Sequence, residues 1–212
     1  SNKHRRLVLA ADNKDISYQQ EALRKSTHFI ALLIPTSYII FPREWAIAVM
    51  ATAFLLVAAF EFFRLRRWRP WTLIEPYVGG MIRPKEQSGN FTGAFYILLA
   101  GTLTIAFFPR YVATTAITFE ILGDVASAMI GRKFGHHKIR GQKSFEGAAG
   151  FLVVALLIIV IMPKVPYTVG IVGAVVASLV EAVSIYRDDN LTVPLSSGLV
   201  MYLMMTLWPG LP

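Results

Sequence analysis

The run YVATTAITFEILGDVASAMIG, residues 111–131, decides the fold. It is apolar or hydroxyl-bearing along most of its length and is bounded by Arg110 on one side and Arg132-Lys133 on the other. Such a run is long enough to carry a helix through the roughly 30 Å of hydrocarbon in a bilayer. Six further apolar runs lie at 27–42, 45–63, 92–108, 145–162, 166–186 and 191–208, the first of them short. Of the 212 residues, 55% are hydrophobic and 16% charged, with a mean hydropathy of +0.52. A soluble domain carries about 25% charged residues, so an ordinary cytosolic globule is excluded. The pattern predicts an all-α, polytopic membrane helix bundle of about seven transmembrane helices.

Pro42, Pro109 and Pro163–Pro166 punctuate three of the turns, and turns this brief favour antiparallel neighbours. Of the 21 Lys and Arg, 18 fall in the N-terminal segment and the alternate connections, leaving Arg43, Arg110 and Lys164 on the other side. The positive-inside rule therefore predicts a cytoplasmic N-terminus and cytoplasmic long loops. Trp45, Trp68, Trp71 and Trp208 fall near expected helix ends, where an indole favours the interface. The expected organisation is a basic cytoplasmic segment or helix, 1–26, followed by one transmembrane catalytic domain, 27–212. The formal charge of +8 is then a matter of topology, and no nucleic-acid partner is expected. No secretory signal is visible, so insertion is expected to use the first spanning helix. With no cysteine in the chain, disulfides, thiol nucleophiles and cysteine-ligated metals are excluded.

A carboxylate at the centre of a membrane helix costs about 2.5–3.5 kcal/mol on insertion scales, so it usually faces a cavity, a partner or a metal. Glu120 and Asp124 stand at i and i+4 of the quoted run, on one helix face about one turn apart. Glu61, Glu146, Glu181 and Asp188-Asp189-Asn190 lie near the cytoplasmic ends of other runs and can converge there. The intervening loop GRKFGHHKIRGQKS, 131–144, is rich in glycine and base. Its glycines permit close backbone approach, the expected helix start near Ser144 offers unpaired N–H groups, and Lys143 supplies a point charge; together these suit phosphate. Mg²⁺ takes one or two carboxylates plus the phosphates of a substrate, and the combination suggests phosphoryl or nucleotidyl transfer. Before the first span, Glu21, Arg24, Lys25 and His28 form one helical stripe, readable as part of the same pocket or as a snorkelling junction.

Other readings of these residues stay open. The basic stretch 64–91 reads either as an anchor on anionic headgroups or as a phosphate-contacting loop. Glu120 and Asp124 also fit the proton relay or ion site of a small-molecule transporter, although no inverted repeat supports one. His136-His137 read as surface polar residues, not as ligands. Lys143-Ser144 is like the end of a Walker A loop, but Gln142 stands where its last glycine belongs and no strand precedes it, so a P-loop fold is rejected. The Gly-rich loop of protein kinases, with its His-Arg-Asp and Asp-Phe-Gly partners, is also absent.

Taken together, three pieces resemble the CTP-dependent lipid-alcohol kinases, the group of dolichol kinase, phytol kinase and yeast-type diacylglycerol kinase. They are Glu21…Arg24-Lys25…His28; Leu122-Gly123-Asp124…Gly131-Arg132…Gly135 with Gln142-Lys143-Ser144…Glu146-Gly147; and Glu181 followed by Asp188-Asp189-Asn190-Leu191-Thr192-Val193-Pro194. The resemblance covers about residues 21–198. It implies transfer of the γ-phosphate of CTP, or another nucleoside triphosphate, to the hydroxyl of a membrane lipid with Mg²⁺. The roles it implies are Asp124, Glu181 and Asp189 on the metal, and Lys143, Arg132 and Ser144 on the triphosphate. Arg24, Lys25 and His28 would reach the same pocket, and Glu120 would contact or deprotonate the lipid hydroxyl. Glu146 would orient Lys143, and Asn190 and Thr192 would fix the nucleotide or a metal-bound water. Phosphatidate cytidylyltransferases also use CTP and Mg²⁺, but their Pro-Gly-His-Gly-Gly stretch is missing here; a CTP transferase of that kind is the enzymatic alternative. The short chain suits the compact diacylglycerol or phytol-type enzymes better than the long dolichol kinases. A prokaryotic cytoplasmic membrane is the expected setting, with the eukaryotic endoplasmic reticulum as the alternative.

Overall fold

The computed structural model describes residues 29–78, 89–141, 143–162, 164–184, 189–208 and 210. A 3-10 turn, Phe29–Leu32, leads into α1 (Leu33–Ile40). There follow α2 (Arg43–Leu65), α3 (Arg69–Val78), α4 (Gly93–Phe107) and α5 (Arg110–Phe134). A two-stranded antiparallel ribbon, β1 (Lys138–Arg140) and β2 (Lys143–Ser144), precedes α6 (Phe145–Ile161), α7 (Tyr167–Val183) and α8 (Asp189–Leu207). The result is an all-α, membrane-type bundle. α2, α5 and α8 are long and apolar enough to cross a membrane, and the segments Phe29–Ile40, α4, α6 and α7 are shorter apolar helices.

α5 sits at the centre. Its side chains are buried without a break from Val112 to Ile121, which only a helix surrounded on all sides can achieve. α6, α7 and α8 pack around it, α1 and α4 also contact it, and α2 lies outside against α4. Leu55 and Leu56 of α2, Val160 and Ile161 of α6, and Leu179 and Val183 of α7 face outwards, as an apolar solvent requires.

The proline turns follow the sequence pattern. Pro42, Pro109 and Pro166 each stand immediately before a helix, with φ near the value the ring imposes, and so start α2, α5 and α7. The basic residues of this end have structural partners. Arg110 donates to the carbonyls of Ile39 (3.2 Å) and Phe41 (3.1 Å), and Arg43 donates to those of Ile105 (3.2 Å) and Ala106. Each thereby satisfies backbone oxygens at or beside the C-terminus of a neighbouring helix.

Three expectations are revised. The first apolar run is interrupted as a helix: it becomes a 3-10 turn and a short α1, with Pro35 inside the first turn, where its missing N–H breaks no helical bond. The polar stretch after α2 contains a helix, α3, whose Trp71 is buried edge-on against Phe60 (5.6 Å). The basic loop 131–144 is folded back as the β1–β2 ribbon, with Gly141 in the left-handed region (φ +58°) at its turn.

Close helix contact depends on small residues, as is common where helices meet in membranes. A Cβ at Gly123 of α5 would lie 2.4 Å from the fully buried ring of Phe151 on α6, and one at Gly101 would meet the flexible end of Met50. Gly123→Ala is therefore expected to destabilise the bundle by about 1–3 kcal/mol. Gly101→Ala should shift the melting temperature in detergent much less, and equal shifts would contradict this account of the α5–α6 contact.

Candidate active site

The site is assembled from helix ends. Asp124 projects from α5 ten residues before that helix finishes, Glu181 lies in the last turn of α7, and Asp189 opens α8. One carboxylate oxygen from each lies within 4.8 Å of the others. Among the described residues these three acids form a group with the donor chemistry of a divalent-cation site. Asp189 also stands in the first turn of its helix, where the backbone dipole favours negative charge.

Lys143 is delivered to this group by the ribbon, which packs on α7 and, through β2, on α5. Its Nζ donates to Asp189 Oδ2 (2.8 Å) and to Glu181 Oε1. Burial by itself pushes the Lys143 ammonium towards a lower pKa. Attraction to Asp189 and Glu181, and hydrogen bonds to both, outweigh it and hold the pKa well above the usual lysine range. The proton is therefore retained through neutral pH and lost only as pH rises through that raised value.

The residue after Lys143 fixes its place. Ser144 is the N-cap of α6, its hydroxyl accepting from Gly147 N at 3.1 Å. Side chains at Gly131, Gly135 or Gly147 would crowd that hydroxyl at 2.6–3.3 Å, so these glycines make room for the α5–α6 junction. Ser144, expected at the triphosphate, is buried in this junction with its oxygen occupied by the cap.

Other expected residues are placed as follows. Glu120 is buried on α5, outside the three-acid group. Arg132 is half-buried in the last turn of α5. Asn190 is buried in the first turn of α8, and the Thr192 hydroxyl lies 3.2 Å from that of Ser184, linking the end of α7 to the start of α8. Glu146, expected to orient Lys143, has a carboxylate that accepts from the backbone N–H of His137 (3.1 Å) and contacts that ring's Nδ1 at 2.7 Å, which closes the ribbon. Glu61 is also removed from the site, fully buried with Arg64 (Nε to Oε2, 3.1 Å) and Thr92 (Oγ1 to Oε1, 2.8 Å). Arg24, Lys25, His28 and Asp188 lie outside the described residues.

Ser127 was not legible as a site residue. It lies three residues after Asp124 on the same helix and donates to Glu181 Oε1 at 2.9 Å, buried. A serine at i+3 from a buried acid was the available signal, but small residues are common in membrane helices and the partner lies 54 residues away.

The fit to a metal can be tested on the donors. Mg²⁺ takes hard oxygens, and three carboxylates from three helices provide them. Glu181 is 2% exposed, and its Oε2 has no hydrogen-bond partner among the described residues. A bare buried carboxylate oxygen beside two other acids suits a cation, so the residues fit magnesium.

Comparison with known proteins gives independent information. The CTP-dependent diacylglycerol kinase 1 of Saccharomyces cerevisiae is 24% identical over 176 residues, covering 70% of this chain and 60% of that one. The phytol kinase of Synechocystis is 31% identical over 130 residues, covering 55% of each chain. The CTP-dependent diacylglycerol kinase 1 of Schizosaccharomyces pombe is 21% identical over 204 residues, covering 88% of this chain and 92% of that one. The chain is a homologue of CTP-dependent lipid kinases. No family model and no solved structure matches it.

In this homologue of lipid kinases, Ser127→Ala would leave Glu181 with one donor fewer. The variant is expected to lose about 1–3 kcal/mol of stability, read as a lower melting temperature in detergent. An unchanged melting temperature would show that the hydroxyl does not hold the acid.

Proposed function

We propose that the protein is an integral membrane kinase with about seven spanning helices and a cytoplasmic N-terminus that transfers the γ-phosphate of CTP, or of another nucleoside triphosphate, to the hydroxyl of a lipid alcohol. The observation that carries this reading is the gathering of Asp124, Glu181 and Asp189 with Lys143. Acids on three apolar helices, met by a lysine from a basic ribbon, suit a charged donor on one side and a lipid on the other. Both diacylglycerol and phytol appear in the names of the relatives, and a polyprenol such as dolichol is a further candidate acceptor.

In this reading Asp124, Glu181 and Asp189 hold magnesium, which when bound neutralises charge on the phosphates of the donor. Lys143 and Arg132 bind the triphosphate, and Arg24, Lys25 and His28 contribute from the N-terminal segment. Ser144 sets the position of Lys143 through its cap, and its hydroxyl hydrogen, which the cap does not use, would be the group offered to phosphate. Asn190 and Thr192 orient the nucleotide at the start of α8. Glu120 stands four residues before Asp124, about 6 Å further along the helix towards the lipid interior. There it accepts the proton of the acceptor hydroxyl as the hydroxyl oxygen bonds to the γ-phosphorus and the bond to the β-phosphate oxygen breaks, releasing CDP. Little covalent chemistry is asked of the protein beyond alignment and charge placement.

The test is phosphate transfer in detergent with γ-labelled CTP, ATP, GTP and UTP against diacylglycerol, a polyprenol and phytol, with and without Mg²⁺. The expected result is label on a lipid, CTP preferred and Mg²⁺ required. Asp124→Asn should lower turnover by about 100-fold or more while the protein keeps its melting behaviour. Pyrophosphate release with phosphatidate would replace the kinase with a cytidylyltransferase, and solute flux into sealed vesicles without nucleotide would replace it with a transporter.

A further inference from the structure

Lys143 is paired with acids that a metal ion would also use. Its ammonium nitrogen is bonded to two of the three acids proposed as metal ligands, and the third acid's oxygen is within 4.8 Å of theirs. Oxygens bound to one Mg²⁺ at about 2.1 Å lie roughly 3–4 Å apart, whereas oxygens around an ammonium at about 2.8 Å spread further. A group whose oxygens lie within 4.8 Å of one another accommodates either cation. Where a divalent ion and the ammonium need the same carboxylate oxygens, they compete for them.

Given the reading of the triad as a metal site, on which this depends, we infer that Lys143 is the resident counter-ion of the acids and exchanges for the metal only when a triphosphate arrives to receive its ammonium. The segment that carries it is built for such a shift. Lys143 is in a two-residue strand, close after a turn at Gly141 whose φ of +58° glycine adopts without strain, while Ser144 is held by its cap. The side chain can leave the acids with the helix start unmoved. A bare divalent ion must displace Lys143 and leave a cation without its acids. A metal arriving with a triphosphate gives that cation a phosphate oxygen in exchange. Metal and nucleotide should consequently bind with positive coupling, and by thermodynamic reciprocity each should tighten the other by the same factor.

The experiment is Mn²⁺ binding to the detergent-solubilised full chain, followed by the electron paramagnetic resonance signal of free Mn²⁺, with and without the β,γ-methylene analogue of CTP. Wild type should bind Mn²⁺ weakly alone and about tenfold or more tightly with the analogue. Lys143→Met should bind bare Mn²⁺ about tenfold more tightly than wild type and lose most of the coupling, while Lys143→Arg, which keeps a cation, should retain weak binding of the bare ion. Equal Mn²⁺ affinity in wild type and Lys143→Met would overturn the exchange and leave the metal reading standing. Absence of Mn²⁺ binding in wild type and Lys143→Met, with and without the analogue, would overturn the metal reading as well. If Lys143→Met does not fold, absence of coupling in the wild type alone is enough to overturn the exchange.

Discussion

Everything around the site depends on a need for positive charge beside buried carboxylates. Glu181 and Asp124 are placed by apolar helices, and a carboxylate in such a setting is tolerated only with a compensating partner. The positive charge is brought by Lys143, on the ribbon that follows α5 and precedes α6. The ribbon can lie there because Gly131, Gly135 and Gly147 leave room for Ser144, and because the Ser144 cap starts α6 immediately after Lys143. The glycine-rich character of this loop thus has a packing cause, and it still delivers the lysine that the acids need.

The buried acids divide by how completely they are satisfied. Glu61 has Arg64 on one oxygen and Thr92 on the other, a network that ties α2 to the start of α4 and gives each oxygen a donor. Glu181 is equally buried, but its donors crowd Oε1 and leave Oε2 without one. An incomplete set of partners at low exposure is costly unless something else completes it. The contrast separates a carboxylate that holds helices together from one that fits a cation, although both are intramembrane glutamates in the sequence.

The limits of legibility follow the same physics. Apolar runs, proline turns and the placement of Arg and Lys report the solvent each residue meets, and these located the helices at 43–65, 110–134 and 145–161 within a few residues. Asp124, Glu181, Asp189 and Lys143 were singled out because charge in or beside an apolar run is anomalous wherever it falls. Pairing is a different quantity. Whether Glu146 meets Lys143 or His137, and whether Ser127 reaches Glu181, depends on helix rotation and on how a short ribbon turns at Gly141, none of which leaves a period in the sequence. That α3 folds Trp71 against Phe60 depends on the same kind of contact.

Position along α5 gives the arrangement its direction. Asp124 lies about 15 Å of helix from Phe134, and Glu120 about 6 Å further still, so the helix carries two carboxylates at two depths. The shallower one joins acids from α7 and α8 that begin or end near the same level, and the ribbon's lysine meets that group. The deeper one is itself buried, within the unbroken buried run from Val112 to Ile121. Two acids at i and i+4 on a central helix therefore place carboxylates one turn apart, one joined to the acids of α7 and α8 and the other outside that group.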